Sequence, residues 1–170
     1  MPSYKHCPCC GSLLTEKHLD DRTRQVCSSC EFVFYQNPTP AAGVILIEGS
    51  EVLLVKRKFE PKAGLWTLPA GFVELDENVP ECAVREMKEE TNLSVELTDL
   101  FNIYSAFDDP RASVVLILYL ARRINDGADL RCGDDAVDAQ FFHIDKVPAE
   151  IAFKAHRQAL AEIKDYIDRR

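Results

Sequence analysis

Three acidic residues crowd one turn of a segment that reads as helix, and no other stretch of this 170-residue chain constrains its fold so tightly. In Val84-Arg85-Glu86-Met87-Lys88-Glu89-Glu90-Thr91-Asn92-Leu93, Glu86 and Glu90 are four residues apart and share a helix face, with Arg85 and Glu89 on adjoining ridges. Like charges at that spacing cost roughly 0.2–0.5 kcal/mol per pair in water, and more once partly buried. A hard divalent cation removes that cost, because Mg2+ takes a few carboxylates and completes its octahedron with substrate phosphate oxygens. The pattern predicts a helix from about Asn78 to Thr91, with Asn78 as N-cap and Pro80 in the first turn. Its core stripe is Val79, Ala83 and Met87 with Cys82 beside it, and the carboxylates are expected to project from the other side.

The residues ahead of this helix sharpen the reading. Gly71, five residues, Glu77, seven residues, and then Arg85-Glu86-Met87-Lys88-Glu89-Glu90-Thr91-Asn92-Leu93 resembles the Nudix hydrolase box at every position except Asn92, where that family has glycine. Asparagine also accepts the left-handed conformation at a helix C-terminus, so the turn is expected to survive. The resemblance implies hydrolysis of the pyrophosphate bond of a nucleoside diphosphate derivative, with Mg2+ (or Mn2+) as cofactor. Glu86, Glu89 and Glu90 are then the expected metal ligands and, with Arg85, the catalytic set; Gly71 and Glu77 are expected to contribute to the metal site. Arg85 reads as an orienting residue whose planar fork pairs with a helix carboxylate. The general base stays open between Glu86, Glu89 and a loop acid, with Asp134, Asp135 and Asp138 ahead of Phe141 and Phe142 as the loop candidates.

Two cysteine pairs define a first module over residues 1–37. Cys7-x2-Cys10 and Cys27-x2-Cys30 are separated by sixteen residues, the spacing of a zinc ribbon, and Cys9 is left as a bystander because only Cys7 with Cys10 keeps the two spacings equal. A structural Zn2+ on four thiolates has no open position for catalysis. Four Lys or Arg (Lys5, Lys17, Arg22, Arg24) balance four Asp or Glu (Glu16, Asp20, Asp21, Glu31), so the module makes a poor clamp for a nucleic-acid backbone.

Gln36-Asn37-Pro38-Thr39-Pro40 is a breaker-rich link into a second module over residues 38–170. Apolar, β-branched runs at Ala41–Ile47 and Val52–Arg57 flank Glu48-Gly49-Ser50 and predict a hairpin; further strands fit Leu65–Pro69, Ser94–Phe107, Ser113–Arg122 and Ala139–Ile144. Ala152, Ala155, Ala159, Leu160, Ile163 and Ile167 mark a closing amphipathic helix. The fold class expected is α+β: a mixed sheet covered by helices, the α/β/α sandwich that the Nudix resemblance also implies, preceded by the small zinc ribbon.

A net charge of -8 argues against general affinity for nucleic acid or anionic membranes, no apolar run approaches a membrane span, and the N-terminus lacks the apolar stretch of a signal peptide. A soluble, cytoplasmic protein acting on a small nucleotide is the expectation. The ribbon joined to the box resembles the group that includes NADH, FAD and ADP-ribose pyrophosphatases, which implies a homodimer. Its NADH-cleaving members carry Ser-Gln-Pro-Trp-Pro-Phe-Pro-x-Ser, of which Tyr104–Ser113 keeps little beyond Ser105, Pro110 and Ser113, so FAD or ADP-ribose moves ahead. Trp66, Phe72 and Arg57 are the candidate substrate contacts, with Tyr104, Phe107 and Arg111 as further possibilities; none of the four histidines is assigned to chemistry. The alternatives are a nucleotide-sensing regulator with a nucleic-acid-binding ribbon, against which the complete acidic set counts, or an oxidised-nucleotide or RNA-cap hydrolase.

Overall fold

A computed structural model describes residues 4–133 and 135–168. The chain divides into two compact units, Met1–Pro38 and Thr39–Arg170. In the first, β1 (Leu14–Leu19), β2 (Arg22–Cys27) and β3 (Val33–Phe34) form an antiparallel three-stranded sheet. Two knuckles lie beside it. Gly11 adopts φ 77° and donates its amide to the Cys7 carbonyl at 2.9 Å, while the Cys27 amide donates to Phe32 at 2.8 Å.

The second unit is built on β4 (Thr39–Glu48), β5 (Glu51–Arg57), β8 (Val95–Ala106), β9 (Val114–Arg123) and β10 (Ala136–His143), in the order β10-β5-β4-β9-β8. Two short strands, β6 (Trp66–Thr67) and β7 (Ala70–Phe72), pair with β5 and β4 respectively. β4 and β9 run parallel and the remaining pairs are antiparallel, so the sheet is mixed. Helices α1 (Val79–Thr91) and α2 (Lys154–Asp168) cover its two faces.

Strand β4 shows why the sheet must be a middle layer. Its alternating residues divide between two cores: Ala42, Val44 and Leu46 join Cys82, Ala83 and Met87 of α1, whereas Ala41 and Ile45 join Ala155, Ala159, Leu160 and Ile163 of α2. A strand apolar on both sides of its pleat is stable only when both sides are covered. The spacing of Ala155, Ala159, Leu160 and Ile163 gives α2 one apolar face and no more. No helix among the described residues is long and apolar enough to cross a membrane.

Element positions follow the sequence pattern with one shift that matters. Strand β10 begins at Ala136 rather than Ala139, and Asp138 pairs with Lys56 within the ladder instead of lying in a loop; the register irregularity between Ala136 and Asp138 hides the strand's start from a period-two reading. Asp134 lies outside the described residues.

One buried polar contact ties α2 to the segment leading into β7. The His156 Nδ1 accepts from the Leu68 amide at 3.2 Å and lies 2.9 Å from the Thr67 hydroxyl. Since an amide can only donate, Nδ1 carries no proton, and the neutral ring holds its proton on Nε2. Burial, assisted by the nearby Arg57 charge, pushes the His156 pKa down to about 4. The unfolded chain takes up this proton near the ordinary value of about 6.5. The contribution to stability is therefore complete above that pH and is lost as pH falls toward 4, by about 3 kcal/mol. Urea unfolding at pH 7 and pH 4 is expected to show a smaller loss on acidification for His156→Asn, whose amide oxygen keeps an acceptor without titrating, than for the wild type.

Candidate functional site

Helix α1 starts at Asn78, whose amide donates to Glu81 Oε2 at 3.0 Å, and ends at Asn92 in the left-handed conformation, φ 61°. Packing Cys82, Ala83 and Met87 into the core fixes the rotation of the helix about its own axis. That rotation does not leave the three acids equivalent. Glu90 is a buried residue and Glu86 shows only 15% of its side chain, whereas Glu89 exposes 59%. The expectation that all the carboxylates project away from the core is corrected here: a helix turn advances about 100° per residue, so placing Met87 inside brings Glu90, three residues on, to the edge of the same buried face.

Glu86 and Glu90 both converge on β7. The Ala70 amide donates to Glu90 Oε2 at 3.1 Å. Next to it, a Cβ on Gly71 would fall 2.1 Å from the Glu86 carboxyl carbon, so the glycine clears the space that this carboxylate occupies. Burial first, and then the charge of Glu86, pushes the Glu90 pKa up to about 8; burial also raises Glu86.

Arg85 supplies the opposing charge. Its Nε and Nη2 grip Glu77 Oε2 and Oε1 at 2.9 and 2.6 Å, its Nη1 donates to Glu86 Oε1 at 2.6 Å and Glu89 Oε2 at 2.9 Å, and Nη2 also reaches the Phe72 carbonyl at 3.2 Å. Hydrogen bonding from Arg85 holds the Glu77 carboxyl down at about 2. Glu77, an expected contributor to the metal site, pairs with Arg85 in the structure. Both its oxygens are taken by the guanidinium, and Oε1 also accepts from the Glu74 amide at 2.8 Å. Glu77 thus anchors Arg85. Glu86 Oε2 and Glu90 Oε1 are left without a hydrogen-bond partner among the described residues. Two shielded carboxylates, each with a spare oxygen, suit a hard divalent cation.

These acids line a cleft of about 320 Å³ together with Glu74, Asp135, Gly71 and Phe72. Two arginines line the same cleft, each lying over a phenylalanine ring: Arg57 over Phe153 and Arg111 over Phe72, both at 5.3 Å. Arg111 is held by Asp109 at 2.7 Å, and Arg57 donates its Nε to the Pro61 carbonyl at 3.0 Å. Of the expected substrate contacts, Arg57 and Phe72 face the cleft. Trp66 does not; it is buried in the core, edge-on to Phe142 at 4.8 Å, because β6 turns it toward α2 rather than toward β7. Tyr104 is likewise buried, donating to Glu162 at 2.7 Å, and Phe107 is exposed outside the cleft. Asp109, Phe153 and His156 were not singled out from the sequence. Asp109 follows β8, whereas Phe153 and His156 sit one helical turn apart at the start of α2, and only the fold brings the two segments together.

In the first unit the sulfur atoms of Cys7, Cys10, Cys27 and Cys30 lie within 4.8 Å of one another, with Cys7 to Cys30 and Cys10 to Cys27 at 3.5 Å. A tetrahedron with Zn–S bonds of about 2.3 Å has edges of about 3.8 Å, so the four thiolates fit one zinc ion. Cys9 stands outside this group, and its amide donates to Cys7 Sγ at 3.4 Å. His6 is also outside it.

With Glu90 raised to about 8, the metal-free protein is expected to lose stability as pH climbs from about 4.5 to 8, on the order of 4 kcal/mol. Metal-free Glu90→Gln, which keeps an oxygen for the Ala70 amide, is accordingly expected to be more stable than the wild type at pH 8. The two are expected to converge below pH 4.5, as measured by thermal unfolding in chelator.

Comparison with known proteins agrees with this geometry. Residues 37–163 match the NUDIX domain family, and residues 5–36 match the family described as Nudix N-terminal, a zinc ribbon. The chain is 40% identical over 138 residues to an ADP-ribose pyrophosphatase of Methanocaldococcus jannaschii, covering 81% of this chain and 78% of that one. It is 31% identical over 172 residues to the NAD-capped RNA hydrolase NudC of Chromobacterium violaceum, covering 96% of this chain but only 61% of that protein. The crystal structure of a NUDIX hydrolase from Nitrosomonas europaea superposes with a TM-score of 0.83 at 33% identity, over 98% of this chain and 92% of the other. The chain therefore belongs to the Nudix hydrolase family, as a pyrophosphohydrolase with an N-terminal zinc ribbon.

Proposed function

We propose that the protein hydrolyses the pyrophosphate bond of ADP-ribose, giving AMP and ribose 5-phosphate, with Mg2+ or Mn2+ held by Glu86 and Glu90. The observation that carries this reading is the pair of shielded carboxylates set against Ala70 and Gly71, in a cleft that Arg57 and Arg111 also line. A bound divalent cation neutralises the diphosphate and lowers the pKa of a coordinated water. Ala70 keeps the Glu90 carboxylate aimed into the cleft, and Arg85 does the same for Glu86. Glu89 is the more solvent-exposed acid and shares the Arg85 Nη1 with Glu86, which suits a ligand to an outer ion or the general base. Arg57 and Arg111 offer planar donors to the phosphates or the terminal ribose, and Phe72 offers an apolar surface beside them.

ADP-ribose is placed first because the relative that shares 40% identity across most of both chains is an ADP-ribose pyrophosphatase. FAD carries the same ADP half and remains a candidate for the same cleft. A second reading, removal of an NAD cap from RNA, is favoured by the resemblance to NudC. The balanced charge of the ribbon counts against a long RNA contact.

Product release from ADP-ribose, FAD, NADH and NAD-capped RNA at millimolar Mg2+ distinguishes these readings. The highest kcat/KM is expected for ADP-ribose, with no turnover in chelator. Glu86→Gln and Glu90→Gln are each expected to lose roughly 100-fold or more in kcat, corresponding to about 3 kcal/mol of electrostatic stabilisation. Faster turnover of NADH or NAD-capped RNA than of ADP-ribose would overturn the substrate assignment.

A further inference from the structure

Asn92 departs from the glycine of the family pattern, and its side chain has a partner that glycine would lack. With the backbone at φ 61°, Asn92 closes the end of α1, and its Nδ2 donates to the Asp129 carbonyl at 3.0 Å. The chain that follows Asp129 then runs along the helix end. The Arg131 amide donates to the Thr91 carbonyl and the Gly133 amide to the Glu90 carbonyl, each at 3.0 Å. The final carbonyls of a helix have no partner within it, so these loop amides complete the helix from outside. Gly133 is seated closely. A Cβ there would fall 1.6 Å from the Glu89 carbonyl oxygen and 2.7 Å from its carbon, and both are backbone atoms with no freedom to swing aside.

Two residues beyond Gly133, Asp135 lines the same cleft as Glu86 and Glu90, and its carbonyl accepts from the Lys58 amide at 3.0 Å. The end of α1 thus holds Asp129, Arg131 and Gly133, the end of β5 holds Asp135, and the Asp135 side chain enters the lining of the cleft. Glu90 is held at two points, its carboxylate by Ala70 and its carbonyl by Gly133.

We propose that Asn92 and Gly133 are positioning residues that key residues 129–133 onto the end of α1, so that Asp135 stands in the cleft beside Glu90 and the acidic cluster keeps its shape. The inference rests on the reading of Glu86 and Glu90 as cation ligands, but its first test does not. Asn92→Gly is the clean variant, because glycine takes the left-handed turn freely and only the tether to Asp129 is lost. Gly133→Ala removes the seat itself.

In the full zinc-loaded chain, amide exchange at Arg131 and Gly133 is expected to be faster in Asn92→Gly than in the wild type; unchanged exchange overturns the strap whether or not the enzyme reading stands. Mn2+ titration followed by the paramagnetic resonance of the free ion is expected to show affinity weakened roughly threefold to fivefold in Asn92→Gly, as for loss of one hydrogen bond, and further in Gly133→Ala. Raised Mg2+ should restore kcat in Asn92→Gly with the KM for ADP-ribose unchanged. In an Asp135→Asn background the effect of Asn92→Gly on Mn2+ affinity should vanish, since the two act through one path. Wild-type Mn2+ affinity in both loop variants, or an equal effect of Asn92→Gly with and without Asp135, overturns the proposal. A wild-type protein that binds no Mn2+ counts against the enzyme reading instead, leaving the exchange result to decide the loop.

Discussion

A carboxylate that water barely reaches, placed beside a second carboxylate, is the constraint around which the catalytic unit is arranged. Glu90 is buried against the Ala70 amide, with Glu86 packed onto the bare backbone of Gly71. Burying such a group without a partner is costly, and the raised pKa of Glu90 expresses that cost. The surrounding structure meets it in part. Arg85 shares its guanidinium between Glu77, Glu86 and Glu89, which fixes Glu86 in place, while the charge of Arg57 only partly offsets the burial of Glu90. On the proposed reading a divalent ion would complete the balance, and a diphosphate brought to it would meet Arg57 and Arg111, which line the same cleft.

Each face of the sheet contributes to holding this arrangement. On one face Met87, Ala83 and Cys82 pack beneath β4 and set the rotation of α1, which decides that Glu90 turns inward and Glu89 outward. On the other face α2 presents His156, whose neutral ring accepts from Leu68 just ahead of β7. The segment leading into the strand that receives the carboxylates thus donates to a helix on the opposite side of the sheet. Packing on both faces of the sheet thus sets the rotation of α1 and with it which acids turn inward.

Much of this was legible in the sequence, and the limits are physical. The helix, its Asn78 start, its apolar stripe and the cysteine pairs are local patterns in which spacing alone dictates geometry. The ranking of the three acids was not legible, because it depends on how deeply α1 sits against β4. Trp66 read as a stacking platform but is core, since a two-residue strand gives too little periodicity to show which way its side chains face. The pairing of Glu77 with Arg85, across eight residues and a helix start, has no signature in the sequence spacing. Asp109 reaches the cleft from a segment more than forty residues before Phe153 and His156 at the start of α2, and only the fold joins them. Asn92 read as a tolerated substitute for glycine; its bond to Asp129 lies 37 residues downstream and has no signature in the box itself.

Anomalous diffraction from crystals grown with Mn2+ tests the central claim most directly. The account predicts a peak in the cleft within coordination distance of Glu86 Oε2 and Glu90 Oε1, with Glu77 still paired to Arg85. A fully formed cleft with no peak at saturating Mn2+, or a peak bound by Glu77 with Glu90 uninvolved, would contradict it.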